Sequence, residues 1–162
     1  MFSQTAEYAL RVVAFLAAAG EKAVTTRQIA TGTRVPEGYL AKVLQCLSRA
    51  GIVRSQRGPN GGSVLARPAG ELTIYDVVQA VDPIRRITSC PLGLQSHGAA
   101  LCPVHRRLDD ALALVERAFR DATIAALLAE PSRSKPLCDV DAAGKSAPVA
   151  ITVRRGRPAA RT

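Results

Sequence analysis

Apolar residues run almost unbroken through QTAEYALRVVAFLAAA at positions 4–19, which predicts a mostly buried helix that stops at Gly20. Thr25-Thr26-Arg27-Gln28 then sets a threonine three residues before a glutamine. That is a capping box, and it opens a short helix through Ala30. A turn is expected at Thr31-Gly32-Thr33, and Pro36 suits the first position of the next helix, over 36–50. Leu40, Val43, Leu44 and Leu47 form its inward face, and Gly51 ends it. In IVRSQRGPNGGSVLAR two short strand-like runs flank a Gly/Pro/Asn turn, the pattern of a β-hairpin. Thr73 caps a further helix over 74–81, which Asp82-Pro83 breaks, and 84–106 reads as irregular. From 106 to Glu130 one long helix is expected. Its apolar residues Leu108, Leu112, Val115, Phe119, Ala122 and Ala126 recur at steps of four and three, a seam that wants a partner helix.

The order helix, short helix, turn, helix, hairpin is that of a winged helix-turn-helix. The expected fold is mainly α with a small β-hairpin and a long C-terminal dimerisation helix. Residues 1–83 form the DNA-binding domain, 84–106 a Cys/His effector loop, 107–130 the dimerisation helix and 131–162 a disordered basic tail.

Composition sharpens this picture. Aromatic residues are 4% of the 162, with no Trp, so the core must be aliphatic, as packed helices allow. The net charge of +9 asks for an anionic partner, with nucleic acid first. It is concentrated in two zones: residues 22–67 carry +7 and the tail from Pro131 carries +5. No apolar run is long enough to span a bilayer, and MFSQTAEYALRVV lacks the marks of a signal peptide, so a cytoplasmic protein is expected. In a reducing compartment the four cysteines read as ligands, redox centres or core filler rather than disulfides.

The second helix of a helix-turn-helix enters the major groove by its N-terminal half, here Pro36-Glu37-Gly38-Tyr39-Leu40-Ala41-Lys42. Glu37, Gly38, Tyr39 and Lys42 are the candidate readers, with Lys42 suited to phosphate. Thr25, Thr26, Arg27 and Arg34 stand where backbone contacts are usual. The wing tip Arg57-Gly58-Pro59-Asn60-Gly61-Gly62 lets backbone approach a groove, and Arg57 suits minor-groove insertion.

At this point the segments SQTAEYALRVVAFLA, TTRQIA, VPEGYLAKVLQCLSRAGIV, RGPNGG and LTIYDVVQAVD, within residues 1–130, closely resemble the IscR/NsrR-type (Rrf-two) family of bacterial winged-helix transcriptional regulators. The resemblance implies a homodimeric repressor that binds a palindromic double-stranded operator. Many members hold an iron–sulfur cluster and sense cluster supply, iron, nitric oxide or redox state, while others have none.

SCPLGLQSHGAALCPVH at 89–105 holds two of the four cysteines and both histidines. Cluster-bearing relatives place three cysteines here. Cys90 and Cys102 match the first and third, but the middle position falls at Ser96, beside His97. His105 matches a histidine ligand of the cluster-assembly branch. Glu7 aligns with an acidic ligand that some relatives supply from the other subunit. Cys90, Cys102 and His105, with His97 or Glu7 fourth, would suit a cluster of the 2Fe-2S type, and mixed Cys/His ligation raises its potential. Imidazole ligation is lost on protonation, so such a site responds to pH as well as redox state. Zinc competes for the same residues, although the close cysteine pair of a zinc finger is missing. A thiol switch of Cys90 and Cys102 needs no metal. A loop with packed cysteines and solvated histidines is the fourth reading. Cys46 reads as a core residue and Cys138 as a bystander in the tail.

Arg154-Arg155-Gly156-Arg157-Pro158 resembles the Arg-Gly-Arg core of an AT-hook, or is a nonspecific basic tail. With the wing it would also serve an architectural DNA-binding protein, the alternative to a site-specific regulator. An enzyme with Cys102 as nucleophile and His105 as base is disfavoured, because no third orienting group or phosphate loop accompanies the pair.

Overall fold

The computed structural model describes residues 2–58, 61–90, 93 and 101–131. The expected tail, with its AT-hook-like run and Cys138, lies outside the described residues, as do His97, Pro59 and Asn60.

Helix α1 (Gln4–Ala19) is the central element. Ser3 caps it by accepting from the Ala6 amide. Its face Ala9, Val12, Val13 and Leu16 is buried at the centre of an aliphatic core. Helices α2 (Thr26–Thr33), α3 (Glu37–Arg49) and α4 (Ile74–Val81) pack around it. They contribute Ile29, Leu40, Val43, Leu47 and Val77, with Ile52 and Leu72 from the connections. Full burial of each large aliphatic side chain contributes about 1.5–3 kcal/mol, so the expected aliphatic core holds the reading head together.

The wing is a two-stranded antiparallel hairpin, β1 (Val53–Gln56) and β2 (Gly62–Leu65), in the register Val53↔Leu65 to Gln56↔Gly62. A bridge ties it to the body: Val24 and Ser63 exchange both backbone hydrogen bonds, at 3.0 and 2.8 Å. Gly62 is required there, since a Cβ on it would stand 2.5 Å from the Val24 carbonyl oxygen.

Four expectations need correction. The turn expected at Thr31-Gly32-Thr33 is helical, and α2 ends one residue later at Arg34, in the left-handed region with φ 56°. Thr33 is buried, with its hydroxyl satisfied by the Ile29 carbonyl at 2.7 Å. Gly32 is a packing glycine, because a Cβ there would lie 2.4 Å from the Phe15 ring. Pro36 is the N-cap of α3 rather than its first helical residue. The irregular stretch ends sooner than expected: α5 (Pro103–Asp121) begins within it, so His105 is helical.

The fourth correction is that the long helix is two helices. Chain direction changes at Ala122-Thr123, and α6 (Ile124–Ala129) follows, capped by the Thr123 hydroxyl. Ladder bonds to the body compensate for the break. The Ile74 amide donates to Ala122 at 3.0 Å, and the Ile124 amide donates to Leu72 at 2.8 Å. Ile124 is thereby buried in the core beside α1. The expected seam therefore holds only over Leu108, Leu112, Val115 and Phe119. In the single chain α5 has no buried residue, and Val104, Leu108 and Leu114 are all more than half exposed.

Candidate DNA interface and Cys/His site

The capping box expected at Thr25 is complete. Its hydroxyl accepts from the Gln28 amide, and the Gln28 side chain accepts from the Thr25 amide. This fixes the start of α2 and leaves Thr25, Thr26 and Arg27 exposed on one end of the helix. At its other end Arg34 is exposed and left-handed, and it feeds the chain through buried Val35 into α3. Glu37, Gly38, Tyr39 and Lys42 are all exposed on the first turns of α3, while Leu40 and Val43 between them are buried. Alternation of this kind is what a reading helix needs: an anchored back and a free front.

Tyr39 is braced from below. Its ring meets Tyr8 edge-on at 5.8 Å, and the Arg11 guanidinium lies 5.9 Å from the Tyr8 ring. Arg11 also donates to the Thr33 carbonyl at 3.4 Å and pairs with Glu7. Periodicity showed α1 as a core helix. It did not show that its polar edge supports the turn between the two reading helices.

At the wing, Arg57 and Gly58 are exposed, with Gly58 at φ 116°. The Gly61 amide donates to the Gly58 carbonyl at 2.9 Å and closes the loop. A Cβ on Gly61 would stand 2.6 Å from the Gln56 carbonyl. The tip is thus built from close backbone approach, as the Gly-rich motif suggested.

The second site lies where the chain enters α5. Cys102 is the N-cap, but its thiol caps no amide. Instead Sγ lies 3.3 Å from His105 Nδ1, one turn on. Two ligands of one tetrahedral ion at ordinary Zn–S and Zn–N lengths stand about 3.5 Å apart, and a thiol–imidazole hydrogen bond spans the same distance. Cys90 is half-buried, and its carbonyl accepts from the Gly93 amide at 3.0 Å. Among the described residues no group of three His, Cys, Asp or Glu side chains converges on a common point. Glu7 is exposed on α1 and held by Arg11. Cys46 is half-buried on α3 rather than fully in the core.

Sequence reasoning missed the groups that tie this site to the body. Arg86 donates Nε and Nη2 to the two carboxylate oxygens of Asp109, both at 2.6 Å, and the Ile87 amide adds a third bond at 2.8 Å. The Arg86 fork is the main reason the Asp109 carboxyl is held down at about 2. One α5 face continues through Glu116, which accepts from Arg120 at 2.8 Å. Arg120 stacks 3.6 Å above the Tyr75 ring of α4. The only signal was the spacing of Asp109 and Glu116, two turns apart on one helix.

A family model described as Rrf2, iron-dependent transcriptional regulator, matches residues 2–130. The chain belongs to the Rrf2 family. Like its family, it is a DNA-binding transcriptional regulator with a winged helix-turn-helix. It is 33% identical over 137 residues to the HTH-type transcriptional regulator NsrR of Geobacillus kaustophilus, covering 81% of this chain and 91% of that one. Its fold is similar to CymR, the global cysteine regulator of B. subtilis. The TM-score is 0.65 at 26% identity, over 78% of this chain and 95% of that one. IscR of T. potens has the same fold, with a TM-score of 0.66 at 22% identity, over 79% of this chain and 85% of that one. No described helix is long and apolar enough to cross a membrane.

Proposed function

We propose that this Rrf2 regulator is a cytoplasmic homodimeric repressor that binds a palindromic operator and is switched by a cluster or metal held in its Cys/His loop. The Cys102–His105 pair carries this reading: a thiol and an imidazole 3.3 Å apart at the start of a helix that has no fully buried residue in one chain. Residues 1–83 would read DNA, 84–106 sense, and α5 pair with its counterpart. The reading residues are Thr25, Thr26, Arg27, Arg34, Glu37, Gly38, Tyr39, Lys42 and the wing from Arg57 to Gly61.

Cys90, Cys102 and His105 would supply three ligands, with His97 or the other subunit's Glu7 as the fourth. A bound 2Fe-2S cluster would supply reversible one-electron chemistry and sensitivity to oxidants and nitric oxide. The chain's own contribution is positional. α5 presents Cys102 and His105 from one rigid turn, and the Gly93 amide fixes the backbone at Cys90. Ligand occupancy shifts DNA affinity only if it differs between the two arrangements of the reading heads.

Protein made with iron and purified without oxygen tests the site through its visible spectrum and assays for iron, sulfide and zinc. Charge-transfer bands with matched iron and sulfide, lost in Cys102→Ala, are expected. Colourless, metal-free protein after anaerobic reconstitution overturns the cluster. The same thiol–imidazole contact favours one second reading, a metal-free thiol switch of Cys90 and Cys102 in which a His105 ring nitrogen stands where it can take the Cys102 proton as the thiol reacts. It predicts faster alkylation of Cys102 in wild type than in His105→Ala.

A further inference from the structure

Asp109 lies 23 residues beyond Arg86, and between them stand Cys90, Cys102 and His105. The fork from Arg86 and the amide of Ile87 give Asp109 three hydrogen bonds, all of 2.8 Å or less. A bidentate charge-assisted pair fixes orientation as well as distance. Behind it, Arg86 Nη1 lies 3.8 Å from Glu116, and Glu116 holds Arg120 over Tyr75. Tyr75 is 2.6 Å from Gln79 Nε2, which in turn donates to the Ile84 carbonyl at 3.3 Å. The segment 84–87 is therefore gripped from both sides, by α4 through Gln79 and by α5 through Asp109. The circuit is closed, and it lies just before Cys90.

We infer that Arg86 and Asp109 are positioning residues for the Cys/His site: they tie the segment just before Cys90 to the turn of α5 just after the Cys102–His105 pair, which limits how far Cys90 can stray from that pair. The inference rests on the proposed role of that loop, although the clasp is independent of what the loop holds. Joining the ends of a loop costs closure entropy. A clasp that has already met this cost raises the effective concentration of one end at the other. The three acceptor bonds on Asp109 are more than a surface ion pair needs. Arg86 and Asp109 lie outside the donor set, so neither touches the ligand itself.

The test uses the full chain and needs no metal. Diamide accepts two electrons and two protons as the thiols of Cys90 and Cys102 join in a disulfide, and peptide mapping follows that pair alone. Arg86→Gln and Asp109→Asn are expected to slow Cys90–Cys102 closure at least fivefold. Arg86→Lys, which keeps the charge and loses the fork, is expected to fall between. Alkylation of Cys46 and the far-ultraviolet circular dichroism should be unchanged, which separates a positioning defect from unfolding. Unchanged closure rates in both folded variants overturn the clasp. Should the wild type prove metal-free while the variants close slowly, the clasp stands and the cluster reading fails. A wild type that binds a cluster, with variants that close and bind as well as it does, sinks the clasp and leaves the sensor.

Discussion

Glu37 and Lys42 face outward from the first turns of α3 with buried Leu40 and Val43 behind them. Their chemistry separates the two contributions to binding. Lys42→Ala should weaken binding to every sequence by a few-fold and reduce the salt dependence by about one charge equivalent, because a phosphate contact carries no sequence information. Glu37→Ala should instead change the preferred base at one position in each half-site, read by selection from a random pool. Asp109 yields a pH prediction. Its carboxyl is lowered from 3.8 to about 2 by the Arg86 fork, with the Ile87 amide adding to the effect. A depressed folded pKa means the stabilisation is fully present above the ordinary value and is lost as pH falls towards the folded one. Wild type should therefore keep its thermal advantage over Asp109→Asn unchanged from neutrality down to about pH 5, and lose it as pH falls on through 3.8 towards about 2. An advantage that also decays between neutral pH and 5 would assign the effect to another group.

At the scale of elements, the sequence showed what local rules control. The helix starts at Thr25 and Thr73 are side-chain caps, and caps are written in a few adjacent residues. The hairpin was legible from its Gly-rich turn. Tertiary contacts decided the rest. Gly32 reads as a helix stop in isolation, yet it lets α2 approach Phe15. Thr123 lies inside a seam of heptad-like spacing, and only the ladder to Leu72 and Ile74 turns it into a cap. The Arg86–Asp109 clasp joins residues whose partners are 23 positions apart, which no periodicity announces. Of the proposed ligands, the Cys102–His105 contact follows from their one-turn spacing, while nothing local shows that the segment before Cys90 is tied to α5. The wing carries a prediction of its own. Gly62→Ala forces a Cβ against the Val24 carbonyl, and overpacking of this kind costs about 1–3 kcal/mol. The expected result is a lower thermal midpoint together with weaker operator binding, as the wing leaves its bridge to Val24. A full-strength footprint would show that the wing does not need that bridge.

For the whole molecule, α5 is the element that does not close on its own chain. Leu108 is 51% exposed on the seam it shares with Leu112, Val115 and Phe119, in a helix with no buried residue. Covering that stripe with the same stripe of a second copy would set two α3 helices at a fixed separation, as a palindromic operator requires. Leu108→Glu should split the proposed dimer, seen by sedimentation, and reduce operator affinity much more than affinity for a single half-site. The Cys/His pair sits on the first turn of this same helix, so occupancy of the site and placement of the reading heads share one rigid element. The most direct test is to titrate one operator fragment with anaerobically reconstituted protein and with the same protein stripped by chelator. The two forms are expected to differ at least tenfold in affinity, a difference abolished in Cys102→Ala. Equal affinity of both forms for the operator, or equal affinity for operator and random DNA, would contradict it.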